Sequence, residues 1–82
     1  MRKPGLTVAE HKMWGPKLAG WRNETQFLMV KLLNSYPHHS RVGRLARRAE
    51  KAVADLRSEL DSAMAREHPV EFEVTVYYPP VK

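Results

Sequence analysis

The residues that could do chemistry in this 82-residue sequence are four histidines and a group of basic side chains, and there is no cysteine. The adjacent pair His38-His39 could bind a metal ion, but neither a cysteine nor a carboxylate stands near it at the spacing of metal ligands. His11 falls on a predicted helix seam and His68 at a predicted helix end, where histidines are ordinarily structural. No Ser, His and Asp residues are spaced as a catalytic triad would need. We therefore expect no metal site, no cofactor, no small-molecule substrate and no enzymatic activity.

Basic side chains form a stripe on the second predicted helix, within about 120° of its circumference. The basic stripe consists of Arg41, Arg44, Arg47, Arg48 and Lys51. Like charges four residues apart repel each other, and a helix N-terminus favours anions. An acidic partner or a phosphate backbone would compensate this placement, and so would carbonyl groups at the end of the first helix.

The net charge of +5 agrees with nucleic-acid binding by the basic stripe. Aromatic residues do not interleave with the arginines, which argues against stacking of single strands. Both predicted helices are also too long for a helix-turn-helix motif.

The first predicted helix runs over about residues 7–34. It begins with a capping box formed by Thr7 and Glu10, and it has a kink at Gly15-Pro16, because proline lacks an amide donor. A seam with alternating spacings of 3 and 4 predicts lengthwise packing against another helix. The seam residues are His11, Trp14, Leu18, Trp21, Thr25, Leu28 and Leu32.

The second predicted helix runs over residues 40–67, with Ser40 as its N-cap. Its apolar residues share a stripe about 120° wide. Members of this stripe are Val42, Leu45, Ala46, Ala49, Ala52, Val53, Leu56, Leu60, Ala63 and Met64. Two helices of similar length joined by a short turn predict a mainly α fold, a long antiparallel two-helix hairpin.

A strict alternation of apolar and polar residues predicts one C-terminal β-strand over about residues 70–78. One face of that strand carries Val70, Phe72, Val74, Val76 and Tyr78. The sequence contains no evident partner strand, and an unpaired strand leaves its backbone groups unsatisfied. The strand is thus expected to pair with a second copy or with another protein. The alternative is an extended tail that lies along the hairpin.

Apolar side chains surround the end of the first helix. Phe27, Val30 and Leu33 point away from the seam, so they need another cover. Two covers remain open: the C-terminal segment of the same chain, or a second hairpin that completes a four-helix core.

The chain is predicted to be one domain over residues 1–82, with a flexible basic arm at 1–6 and the strand and tail at 70–82. No apolar run is long enough to span a membrane. The sequence has no cysteine, and no signal peptide is recognised at its start, so we expect a cytoplasmic location.

Three segments resemble small helical-hairpin proteins of actinobacteria and their phages. They are residues 5–11 (GLTVAEH), 34–37 (NSYP) and 65–69 (AREHP). The resemblance implies a bacterial or phage setting and carries over no activity, because these segments are helix caps and stops. Gly15-Pro16 departs from the smooth first helix expected in such proteins.

Two functional hypotheses follow. The first is a non-enzymatic protein–protein interaction module, of the kind a phage could use as a modulator, that forms a homodimer or binds a host or partner protein. Its predicted interface consists of Phe27, Val30, Leu33, Val70, Phe72, Val74, Val76 and Tyr78. The second is a small nucleic-acid-binding factor that uses the basic stripe.

Overall fold

A computed structural model describes residues 3–80 of the chain. Helix α1 comprises Val8–Ser35 and helix α2 comprises Arg41–Glu67. The two helices pack against each other as an antiparallel hairpin, and a single 3₁₀ turn follows at Val74–Val76. The hairpin predicted from the sequence is confirmed, with helix ends within one residue of the expected ones.

The predicted caps begin both helices. The Thr7 hydroxyl accepts a hydrogen bond from the Glu10 amide at 3.1 Å, and the Glu10 carboxylate accepts one from the Thr7 amide at 2.9 Å. At α2, the Ser40 hydroxyl accepts from the Gly43 amide at 3.1 Å. Helix α1 continues through Pro16 without a break. These caps satisfy amide groups that a helix N-terminus otherwise leaves without partners.

The predicted strand at 70–78 is wrong, because the described residues 3–80 contain no strand. Local hydrogen bonds replace the ladder: the Phe72 amide donates to the His68 carbonyl, and the Val76 amide donates to the Glu73 carbonyl. The alternation of faces is lost as well, since the adjacent residues Val76 and Tyr77 are both buried. Without a partner strand in this part of the chain, local turns satisfy more backbone groups than an extended ribbon would.

The folded-back tail packs at the open end of the hairpin, which is formed by the start of α1 and the end of α2. The buried cluster there consists of Leu18, Met64, Val76 and Tyr77, with Val8, Val53, Leu60 and Phe72 packed against it. Gly15 of α1 allows the tail to approach the helix backbone closely. A Cβ atom at this position would lie 2.8 Å from Cγ1 of Val76 and even closer to the carbonyl oxygen of Val76. The tail is therefore an intramolecular part of the core.

The molecule is flat and extended. Its Cα atoms span 46 × 39 × 15 Å, and the radius of gyration is 15.3 Å, whereas a compact domain of this length has about 12 Å. The accessible surface is 6355 Å², against about 5,000 Å² for a compact protein of 9.5 kDa. A molecule that is only 15 Å thick in its smallest dimension cannot shield both of its broad faces from water.

Two predictions extend beyond the described residues. Residues 1 and 2 of the predicted basic arm at 1–6, and residues 81 and 82 of the predicted tail at 70–82, lie outside them. Within the described part of the chain, no helix combines the length and the apolar character that crossing a membrane requires.

Candidate functional site

The helices face each other along only one edge of their predicted apolar stripes. In α1 the buried residues are His11, Gly15, Leu18 and Ala19, whereas Trp14, Trp21 and Leu28 of the predicted seam are exposed. In α2 the buried residues are Gly43, Ala46 and Met64, whereas Val42, Leu45 and Leu56 are exposed. Each helix is therefore rotated relative to the predicted packing.

The exposed parts of both stripes lie on one side of the hairpin. At 100° per residue, Trp14, Trp21 and Leu28 are displaced by about 40–80° from the core residue Leu18. In α2, the exposed apolar residues are displaced by about 40–100° from the core residue Met64, and in the same sense. In an antiparallel pair, equal senses of rotation bring side chains to the same side.

We call this surface the apolar face, and it consists of Trp14, Trp21, Leu28, Val42, Leu45 and Leu56. The Trp14 and Trp21 rings lie together on it, with centroids 6.1 Å apart. On the helical wheel Thr25 and Ala49 fall within this face and carry no charge, whereas the Lys17 ammonium lies over the Trp14 ring, 5.0 Å from its centroid. Half of the Trp21 side chain remains exposed to water (49%).

The predicted interface residues do not form one surface. Val76 is buried and Phe72 half-buried in the chain's own core, whereas Val70 is 90% exposed. Val74 and Tyr78 are exposed, and Tyr78 stacks on the Arg57 guanidinium at 4.2 Å. The tail thus covers the open end of the hairpin.

On the first helix, Leu33 is half-buried and approaches Gly43 near the turn. Phe27 is 78% exposed, and it lines a shallow groove of about 420 Å³ together with Val30, Asn23 and Gln26. Phe27 lies about 180° from Leu18 on the helical wheel, which places it on the back of α1. It is thus separate from the apolar face.

The residues of the basic stripe are all solvent-exposed. Arg47 donates to the His38 carbonyl at 3.2 Å, so a turn carbonyl compensates part of the charge, and Lys51 pairs with Asp55 at 2.9 Å. That carboxylate raises the pKa of Lys51. The remaining arginines, Arg41, Arg44 and Arg48, line a depression of about 270 Å³ together with Leu45 of the apolar face. These three arginines have no carboxylate partner among residues 3–80.

A group of polar side chains meets at the open end of the hairpin. His11 is 1% exposed, and its Nδ1 is hydrogen-bonded to the Tyr77 hydroxyl at 2.5 Å. Its other ring nitrogen, Nε2, is buried without a hydrogen-bond partner in the described part of the chain. The ring of His68 packs edge-on against the ring of His11, and the two ring centroids lie 5.7 Å apart. A buried ring nitrogen without a partner is costly and calls for an explanation.

His68 and Glu67 complete this group from the end of α2. The Nε2 atom of His68 donates to the Leu6 carbonyl at 2.7 Å, which leaves Nδ1 of the neutral ring with the lone pair. One potential ligand atom from each of His11, Glu67 and His68 lies within 4.8 Å of the others. We call these three residues the His–Glu cluster.

Burial sets the protonation states around the His–Glu cluster. It lowers the pKa of His11, and the neighbouring His68 lowers that pKa further. Burial also raises the pKa of Tyr77, helped by Asp61. A neutral imidazole beside a protonated phenol is therefore the state present near pH 7.

Sequence reasoning missed both the apolar face and the His–Glu cluster. His11 lies 56 positions before Glu67 and 57 before His68, and no local motif joins His11 to the end of α2. One signal was present: His11 and Glu67-His68 occupy matching positions at the open end of a predicted antiparallel hairpin. The pair His38-His39, at which no metal site was expected, is exposed at the turn.

Comparison of the chain with protein-family models, with curated proteins and with solved structures gave no match.

Proposed function

We propose that this protein is a non-enzymatic interaction module that self-associates as a homodimer through its apolar face. The carrying observation is that both helices leave the same edge of a wide apolar stripe in water, on the same side of the hairpin. Two hairpins that join by this face form a four-helix arrangement with one shared core. The occupant of the face is then a second copy of the chain.

The surface area supports a partner of this size. The chain exposes about 1,300 Å² more than a compact monomer of its mass. A standard interface buries about 800 Å² on each partner. One dimer interface would therefore remove most of the excess surface.

The spacing of the apolar face supports a helical partner. Trp14, Trp21 and Leu28 recur every seven residues in α1, and in α2 Val42, Leu45 and Leu56 fit spacings of 3 and 4. Such spacing is typical of helices that pack lengthwise in left-handed bundles. Each large apolar side chain moved from water into the interface contributes about 1.5–3 kcal/mol.

The charge distribution supports self-association as well. Thr25 and Ala49 within the apolar face carry no charge, and on the wheel Arg44, Arg47 and Lys51 lie on the other sides of α2. Arg41 and Arg48 lie nearer the edge of the face, where they line a depression together with Leu45. In a dimer these two arginines would stand at the solvated rim of the interface, where salt screens their repulsion.

The experiment is analytical ultracentrifugation of the full chain over a range of micromolar concentrations. The expected wild-type result is a reversible dimer. Trp21→Glu and Leu56→Glu each place a charge in the centre of the face, and each is expected to give a monomer that keeps its helical circular dichroism signal. Both side chains are half-exposed in the single chain, so the fold tolerates their replacement.

Phe27→Glu is the matched control, because it places the same charge on the back of α1. This variant is expected to remain a dimer. A wild-type monomer at 100 μM, or a dimer that Phe27→Glu dissociates and Trp21→Glu does not, would contradict the proposal. A monomer would leave binding of a different protein by the face as the remaining interpretation.

A second candidate function, binding of nucleic acid through phosphate contacts, is favoured by one observation. Arg41, Arg44 and Arg48 surround one depression and have no carboxylate partner in residues 3–80. Three free guanidinium groups at this spacing can contact neighbouring phosphates.

The test for this candidate is retention on duplex DNA at low salt, for wild type and for the double variant Arg44→Glu/Arg48→Glu. Binding that falls steeply with added salt and is lost in the double variant supports it. Equal retention of both proteins, or none by either, counts against it.

A further inference from the structure

We propose that the His–Glu cluster is a binding site for one divalent transition-metal ion of the zinc class. Its ligands are Nε2 of His11, Nδ1 of His68 and a carboxylate oxygen of Glu67. The Nε2 atom of His11 is buried and has no hydrogen-bond partner within the described residues, and a metal ion would satisfy its lone pair.

The hydrogen bonds of the two histidines fit this role. In metal sites, a ligating histidine almost always gives its second ring N–H to a carbonyl, a carboxylate or water. His68 donates its Nε2 proton to the Leu6 carbonyl. His11 can donate its Nδ1 proton to the Tyr77 hydroxyl oxygen, with which it is already hydrogen-bonded. Both remaining ring nitrogens then carry lone pairs.

The ligand types select the metal. Two imidazole nitrogens and one carboxylate oxygen suit Zn²⁺, Co²⁺, Ni²⁺ or Cu²⁺, and they do not suit Ca²⁺ or Mg²⁺. Three protein ligands leave a fourth position for water.

The distances require a small adjustment. Two ligands of a tetrahedral zinc ion lie about 3.3 Å apart, and one ring nitrogen of each histidine and one carboxylate oxygen of Glu67 lie within 4.8 Å of one another. His11 and His68 are held by their hydrogen bonds, whereas Glu67 is exposed. A change of the Glu67 rotamer can therefore close the gap.

Such an ion would link segments that are far apart in the chain. His11 belongs to α1, and Glu67 and His68 belong to the end of α2. Through Leu6 and Tyr77, the same site reaches the segment before α1 and the tail. The ion would crosslink these segments at the open end of the hairpin. Because it would bind only the folded state, it would raise the free energy of unfolding of the protein.

The experiment is isothermal titration of zinc chloride into the full-length, chelator-treated chain, with thermal unfolding followed in parallel. The expected result is one zinc ion per chain and a rise in unfolding temperature of roughly 10–20 °C when free zinc is about 100 times Kd. Titration with Co²⁺ should give the visible absorption of a low-symmetry site.

Variants locate the site. Glu67→Gln is expected to weaken zinc binding at least about tenfold, and Tyr77→Phe, which removes only the hydroxyl, by about 10–100-fold. Glu59→Gln, an exposed glutamate on the same helix, and His38→Ala/His39→Ala are the controls and should bind zinc as the wild type does. Glu67 is exposed, so its variant keeps the fold.

Three results would overturn the proposal: no zinc binding, equal binding by Glu67→Gln and wild type, or loss of binding in His38→Ala/His39→Ala. The last would place the ion at the exposed turn histidines. None of these results depends on whether the chain is a monomer or a dimer.

Discussion

The open end of the hairpin and the apolar face both carry large apolar side chains, but these side chains are buried at the open end and exposed on the apolar face. At the open end, Leu18, Met64 and Tyr77 are nearly inaccessible to water, whereas Trp21 and Leu56 on the apolar face are about half-exposed. The difference arises from the tail, which folds back over the open end and reaches no further. The lesson is that a two-helix hairpin has a complete core only where a third segment covers it.

The largest expected effect tests that difference directly. Met64→Ala removes a fully buried side chain and should lower the free energy of unfolding by about 2–5 kcal/mol. Leu56→Ala makes a similar truncation on the apolar face and should cost under about 1 kcal/mol in the monomer. Urea unfolding at a concentration where the chain is monomeric measures both. Equal losses would mean that the two regions do not differ as described.

A smaller effect is expected from two glycines in the same helix. In Gly15→Ala the new methyl group collides with Val76, so the tail must shift, at a cost of about 1–3 kcal/mol. A Cβ at Gly20 meets no described atom within 4 Å, so Gly20→Ala should stabilise α1 by up to about 1 kcal/mol.

Thermal unfolding gives the sign of both glycine effects. Amide exchange at Tyr77 shows whether the tail has detached. A stabilising Gly15→Ala would refute the close approach of the tail to α1.

The smallest effect concerns the ion pair in the middle of the hairpin, between the covered end and the turn. Arg22 Nη2 lies 3.4 Å from Glu50 Oε1, and both side chains are partly buried. A double-mutant cycle with Arg22→Ala and Glu50→Ala should give a coupling of about 0.5–1 kcal/mol that declines with added salt. A coupling well above this range would mark the pair as a main determinant of helix pairing.

The helices were predictable because their signals are local. The Thr7–Glu10 capping box, the Ser40 cap and the spacing of apolar residues act within a few residues of each other, and all three gave the observed elements. The rotation of the helices was not predictable. Each stripe is apolar across its whole width, and the edge that is buried depends on where the tail lies.

The tail was misinterpreted for a related reason. The alternation at 70–78 satisfies the pattern of a strand, but a strand also needs a partner, and the described chain offers none. Gly15 is the position that lets the tail approach α1, and in the sequence it was interpreted only as part of a kink beside Pro16. The His–Glu cluster depends on the same closure, since Tyr77 of the tail holds the His11 ring.

The order in which the core is completed has a consequence for synthesis on the ribosome. His11 and Tyr77, which are hydrogen-bonded in the fold, are separated by 66 positions. At about 5–20 residues per second, α1 waits roughly 3–13 s for the segment that covers its start. During that interval the side chain of Leu18, which the tail helps to bury in the finished fold, lacks part of its cover, as Trp14 and Trp21 on the apolar face still do afterwards.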